Sequence, residues 1–197
     1  MNRTPGTDSL IVGEAGYDPR QVTFPLRLLL IVDQLAAAGA GVSALLLLSI
    51  VVLFVLEILA RALGAESMTF VWEYSGYFQA VAILLGSAYT LNSGGHIRVG
   101  LVMRQVSPPV QRVLETVCTT AGLAGAALLC GALSYEAFLS FDIGRESYFP
   151  TETPLWVPQA ALALSALLLV LAFIARLIRV LIRVPVESIG PASLQEG

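Results

Sequence analysis

Residues 35–56 read LAAAGAGVSALLLLSIVVLFVL, 22 positions without an Asp, Glu, Lys or Arg. Crossing the roughly 30 Å hydrocarbon core of a bilayer takes about 20 helical residues at ~1.5 Å each. The stretch is long enough to span. It is far longer than a barrel strand, which would also alternate polar and apolar positions. It begins beyond residue 30 and is too long for the apolar region of a signal peptide. Three more charge-free stretches follow: 22 residues at 74–95, 20 at 116–135 and 23 at 153–175. The expected fold is an all-α membrane protein, a bundle of four transmembrane helices with a short interfacial helix after span two. The expected spans are 35–58, 72–94, 110–138 and 154–180, within a membrane domain of residues 35–183.

Composition agrees. Of 197 residues, 56% are hydrophobic and 13% charged, against roughly 25% charged in soluble proteins. That apolar content excludes disorder, and two cysteines exclude a disulfide scaffold. The net charge of −3 leaves no basic patch for nucleic acid. Residues 1–34 are polar, with turn formers Pro5, Gly6, Gly13, Gly16 and Pro19, and are expected to be cytoplasmic and partly disordered. Within them, residues 23–33 mix Leu26, Leu29 and Leu30 with Arg27, and read either as an interfacial helix or as the lead-in to span one. Residues 184–197 read as a flexible tail.

All 11 basic residues are Arg, and their placement sets a topology. Arg3, Arg20 and Arg27 precede span one. Arg61 follows it. Arg98, Arg104 and Arg112 follow span two, Arg145 follows span three, and Arg176, Arg179 and Arg183 close span four. Cytoplasmic loops carry the Arg excess. Both termini and the middle loop are therefore expected in the cytoplasm of a cell whose inner membrane holds the chain. Trp72 and Trp156 open spans two and four on the same outer face, at the depth where an indole is half in lipid and half in water. Thr153 and Pro154 suit the N-cap and first turn of span four. Glu66, Glu73, Asp142, Glu146 and Glu152 collect outside.

Small residues four apart permit close helix approach in lipid. Span three has Ala121 with Gly125 and Gly122 with Ala126; span one has Ala37 with Gly41 and Ala40 with Ala44. Such pairs serve internal packing or docking onto another membrane protein. Reactive chemistry is scarce. His96 is the single histidine, so a bis-histidine haem needs a partner. Cys118 and Cys130 stand about 18 Å apart along one helix and cannot join. No nucleophile, phosphate-loop or metal motif is present, and no cofactor is expected. Glu57 and Arg61 are spaced i,i+4 at the outer end of span one, as a helical ion pair or a partner contact. Glu115, three residues after Arg112, reads the same way, and Glu136 and Asp142 are expected to meet water. Neither broken helices nor a convincing internal repeat marks a transport core.

After span two, Val99, Val102, Met103 and Val106 form a helical stripe for the cytoplasmic surface, with Arg98 and Arg104 near lipid phosphates. His96 reads as a cap or interface group rather than a metal ligand. Several pieces now fall in order: Trp72 and Glu73 opening span two, Gly86 within Leu85 to Ala88, then Gly95, His96, Ile97, Arg98 and Val99, and Pro154 with Trp156 opening span four. Over roughly residues 57–183 the chain resembles the small membrane subunit, DctQ-like, of tripartite ATP-independent periplasmic (TRAP) transporters. Gly100 departs from the pattern, where the family usually has an acidic residue. The resemblance implies a non-catalytic subunit of a secondary transporter. It implies as partners a large permease subunit that carries the substrate and ion sites, and a periplasmic binding protein that delivers an organic acid. The alternative is a membrane anchor or assembly subunit of a redox complex, with His96 near a shared cofactor. A self-assembling channel or small membrane enzyme fits poorly with span centres that hold no charge. Replacing His96 and Arg98 together with Ala is expected to lower uptake through weaker assembly or membrane seating. A changed substrate preference at normal complex levels would contradict that reading.

Overall fold

The computed structural model describes residues 23–93 and 108–182. Those residues form four helices: α1 (Thr23–Ala62), α2 (Thr69–Asn92), α3 (Pro108–Ile143) and α4 (Trp156–Ile182). The interfacial helix expected after span two lies outside the described residues, with Gly95, His96, Ile97, Arg98 and Val99. So do residues 1–22 and the C-terminal tail.

Helix α1 is a single helix of 40 residues, about 60 Å long. Residues 23–33 are therefore continuous with span one and not a separate interfacial helix. Its hydrophobicity runs all the way round: Leu45, Leu48, Val51 and Ile58 are exposed, as suits a helix in contact with lipid. Its buried line is narrow: Leu29, Val32, Ala36, Gly39 and Ser43. That line is displaced from the small pairs read in the sequence, since Ala37, Gly41 and Ala44 are exposed.

The two described turns, after α1 and after α3, use the same stop. After α1, Gly64 takes φ +85°, and the Ala65 N–H donates to the Ala60 carbonyl at 3.0 Å. After α3, Gly144 takes φ +67°, and the Arg145 N–H donates to the Ser140 carbonyl at 2.9 Å. Each is a left-handed glycine closing a helix with a six-to-one bond, a conformation costly to any residue with a Cβ. The second turn then forms a small hairpin. Glu146 and Pro154 bridge antiparallel, and Ser147 N–H donates to Thr153 O at 2.9 Å. Pro154 is thus drawn into that bridge, and α4 starts at Trp156, two residues after the expected start at Pro154.

Helix α4 lies at the centre, packed on α1, α2 and α3, while α3 packs mainly on α4. Ala166, Ala172 and Ala175 on α4 are buried, so neighbouring backbones come close. Of the four small residues singled out on span three, Gly122 and Ala126 face inward and Ala121 and Gly125 are exposed. A Cβ on Gly122 would lie 2.5 Å from the Phe173 ring, whereas one on Gly125 would meet nothing within 4 Å. Between α1 and α2, Gly39 sits under Leu168 and Leu85, and Ser43 donates to the Ala82 carbonyl at 2.8 Å beside Gly86.

Among the described residues, three helices are long and apolar enough to cross a membrane: Leu28–Ala62, Val110–Ile143 and Trp156–Leu181. Helix α2 falls short in apolarity, not length, since its 24 residues rise about 36 Å. Residues 74–95 are free of charge, but hydroxyls and amides lower their apolarity. The helix starts at Thr69, takes in Glu73, and carries Tyr74, Ser75, Tyr77, Gln79, Ser87, Thr90 and Asn92. Gly122→Val is expected to destabilise the solubilised chain by about 1–3 kcal/mol through displacement of Phe173. Gly125→Val is expected to be close to neutral; thermal unfolding in detergent compares the two.

Candidate functional site

The polar groups of the bundle gather in two layers, one at each end, named outer and inner after the topology expected from the arginines. At the outer end Glu57 is only 3% exposed. Its Oε1 accepts from Arg61 Nη2 at 2.7 Å and from Ser67 Oγ at 2.8 Å, and its Oε2 accepts from the Met68 N–H at 2.9 Å. Met68 is the N-cap of α2, so one carboxylate on α1 closes the turn and caps the next helix. Arg61 is half-exposed and also donates to Ser67 at 2.9 Å. The i,i+4 pair read in the sequence is therefore one part of a four-residue clasp.

Glu73 performs the parallel task for the second outer loop. It is 3% exposed on α2, accepts from Tyr77 Oη at 2.9 Å, and accepts from Thr151 Oγ1. Tyr74 Oη and Thr153 Oγ1 lie 3.2 Å apart. The hairpin before α4 is thereby held to α2. The two tryptophans sit beside these clasps, each edge-on to a phenylalanine of the preceding helix. Trp72 is 5.4 Å from Phe54 and Trp156 is 5.6 Å from Phe141, centroid to centroid. At the end of α3, Glu136 meets Arg145 at 3.4 Å, with both side chains exposed.

The inner layer is built by α4. Arg176 and Arg179 are 7% and 4% exposed. Arg179 Nη2 donates to Asp33 Oδ2 of α1 at 2.6 Å. Arg176 Nη2 donates to Glu115 Oε1 of α3 at 3.3 Å, and its Nη1 to the Leu91 carbonyl of α2 at 3.1 Å. Two side chains of one helix thus reach all three others. The contacts also set directions: the start of α1, the end of α2, the start of α3 and the end of α4 meet at one level, so α1 and α3 run antiparallel to α2 and α4.

Sequence reasoning took these arginines as topological markers and paired Glu115 with Arg112. The structure brings Glu115 to Arg176 across the bundle. A signal was present: Ala172, Ala175, Arg176 and Arg179 share one face of α4, and the small residues mark that face as packed. Cys118 is exposed on α3, and Cys130 is half-buried with its Sγ 3.8 Å from the Ala163 carbonyl, a packing position. Among the described residues no three His, Cys, Asp or Glu side chains gather to hold a metal.

Removing one partner of a buried ion pair leaves the other charge uncompensated, at a cost of roughly 3–5 kcal/mol, while replacing both with apolar groups is often neutral. Arg179→Met is therefore expected to destabilise the bundle by about 3 kcal/mol, and Asp33→Leu added to it to recover most of that loss. A double-mutant cycle of unfolding in detergent measures it.

Comparison with solved structures gives no match. Over 72 residues the chain is 39% identical to the C4-dicarboxylate TRAP transporter small permease protein DctQ of Pseudomonas aeruginosa. That stretch is 36% of this chain and 34% of the relative, so the chain spans about a third of the length of the curated protein it matches. A family model for the DctQ component of tripartite ATP-independent periplasmic transporters matches residues 50–183, from the second half of α1 to the end of α4. That is more than half of the chain, and it begins before the outer clasp and ends past the inner one: the chain belongs to the DctQ family of TRAP transporter small permease subunits.

Proposed function

We propose that this chain is a non-catalytic scaffold. It sits in the inner membrane beside a large permease subunit and steadies it during ion-coupled uptake of an organic acid. The observation that carries the reading is where the charges are used. In the described residues, Glu57, Glu73, Asp33, Glu115, Arg176 and Arg179 all bind one part of the chain to another, and the span centres hold no charge. A coupling-ion path needs ionisable or carbonyl groups within the membrane. On this reading substrate and ion pass through the partner. The family is one of transporter components, not of enzymes, and it lends no support to the redox-complex alternative.

Four crossings fit this role. Helix α2 runs from the outer clasp at Glu73 to the inner layer at Leu91, roughly 27 Å of rise, and so crosses inside the bundle despite its polarity. The Arg distribution supports cytoplasmic termini and an inner layer at the cytoplasmic interface. The outer loops then face the periplasm. The hairpin clamped by Glu73 presents a fully exposed Tyr148 to a periplasmic binding protein. The substrate named for the Pseudomonas relative is a C4-dicarboxylate; for this chain the class proposed is an organic acid, chosen by its partners.

Co-expression with the large permease subunit of its own system tests the role. The tagged chain is expected to retain that subunit through purification, and proteoliposomes are expected to take up substrate only when both subunits and the binding protein are present. Failure to co-purify, or ion flux through the chain alone, would sink the scaffold reading.

A further inference from the structure

Helix α2 is the one described helix too polar to qualify as a span by composition, and part of the reason lies on its outward face. Trp72, Gly76, Gln79 and Ile83 follow one another at four, three and four residues, and all four are exposed. One flank of the helix is covered by α1, where Ser43 bonds Ala82, and the other by α4, where Ala88 and Leu91 pack on Ala172. The stripe is what remains between them.

Gln79 lies about 9 Å of helical rise below Glu73 and about 18 Å above Leu91, well inside the slab bounded by the two polar layers. Its primary amide has two donors and an acceptor. No described residue bonds it. Ser87, further along the same side, satisfies its own hydroxyl on the Ile83 carbonyl at 2.7 Å and needs no partner. Gln79 has no such local solution, and an amide facing lipid tails is costly. One turn above it, a Cβ on Gly76 would meet nothing within 4 Å, so another backbone has room to approach closely. The exposed faces of α1 and α3 have open glycines too, Gly41 on one and Gly125 and Gly131 on the other, but these stand among lipid-suited residues such as Leu45, Leu48, Val117 and Leu128 with no amide beside them.

We propose that this face of α2 docks a transmembrane helix of the large permease subunit, one that offers an amide or hydroxyl to Gln79 and lies close against Gly76. The proposal rests on the small-subunit reading above and adds to it the helix that makes the contact. A second copy of this chain fits less well. In a two-fold pair the exposed Trp72, four residues from Gly76, would stand against its own counterpart and hold the helices apart where they need to meet.

The test is retention of the large subunit by tagged variants in the co-expressed complex. Gly76→Ile fills the open approach and is expected to lower retention about tenfold. Gln79→Leu removes the amide and is expected to lower it about threefold, with Gln79→Asn partly restoring it. Both are expected to leave the thermal midpoint of the chain alone unchanged or raised, since neither position packs inside the bundle. Gly125→Ile, equally open on α3, is expected to retain the large subunit fully. Wild-type retention by both α2 variants overturns the proposal, as does loss confined to Gly125→Ile, or disulfide cross-linking of two small subunits through Gly76→Cys. If the wild-type chain itself retains no large subunit, it is the small-subunit reading that has failed.

Discussion

The bundle depends on two arginines of one helix. Arg176 and Arg179 are buried on α4 and engage Asp33 of α1, the Leu91 carbonyl of α2 and Glu115 of α3. In lipid, helices gain little from the hydrophobic effect when they associate, because the tails are as apolar as the side chains. Directional contacts then have to choose the partners. These three do so at one level, and they fix which ends of the helices lie together. The alanines beside them, Ala172 and Ala175, let the backbones come close enough for the arginines to reach.

The opposite end solves a different problem. Outer turns must hold helix ends in register without a core beneath them. Glu57 and Glu73 do this by accepting several donors each, one from the turn after α1 and the other from the hairpin after α3. Both carboxylates are nearly fully enclosed, which is tolerable only because their oxygens are so well bonded. The left-handed glycines Gly64 and Gly144 begin these turns, and the two Trp–Phe pairs stand at the same depth.

Much of the architecture was legible in the residues. Charge-free runs of about 20 positions locate helices because bilayer thickness dictates their length. The spacing of Glu57 and Arg61 made a local pair readable, since one helical turn sets their distance. Contacts between helices were not legible in the same way. Nothing local ties Glu115 to Arg176, or Asp33 to Arg179, across a hundred residues or more in the second case; only the packing registers of α1 and α3 on α4 bring them together. The same register decided that Gly122 meets Phe173 while Gly125 stays open, although both belong to the same kind of motif. The charge-free run at α2 says less than the other three, because its hydroxyls and amides carry no charge yet weaken its preference for hydrocarbon. The family motif after span two lies outside the described residues, and its role rests on the sequence.

The length of α1 has a mechanical consequence. Asp33 and Glu57, the polar marks nearest its two ends, are separated by roughly 36 Å along the helix, against roughly 30 Å of hydrocarbon. With both marks at the interfaces, the helix leans by about 30° to fit, which lies within the common range for membrane helices. Since Asp33 is tied to α4 and Glu57 to α2, α1 cannot lean alone. A thinner bilayer would therefore be met by rotation of the whole frame, since α1 is tied to α4 at one end and to α2 at the other.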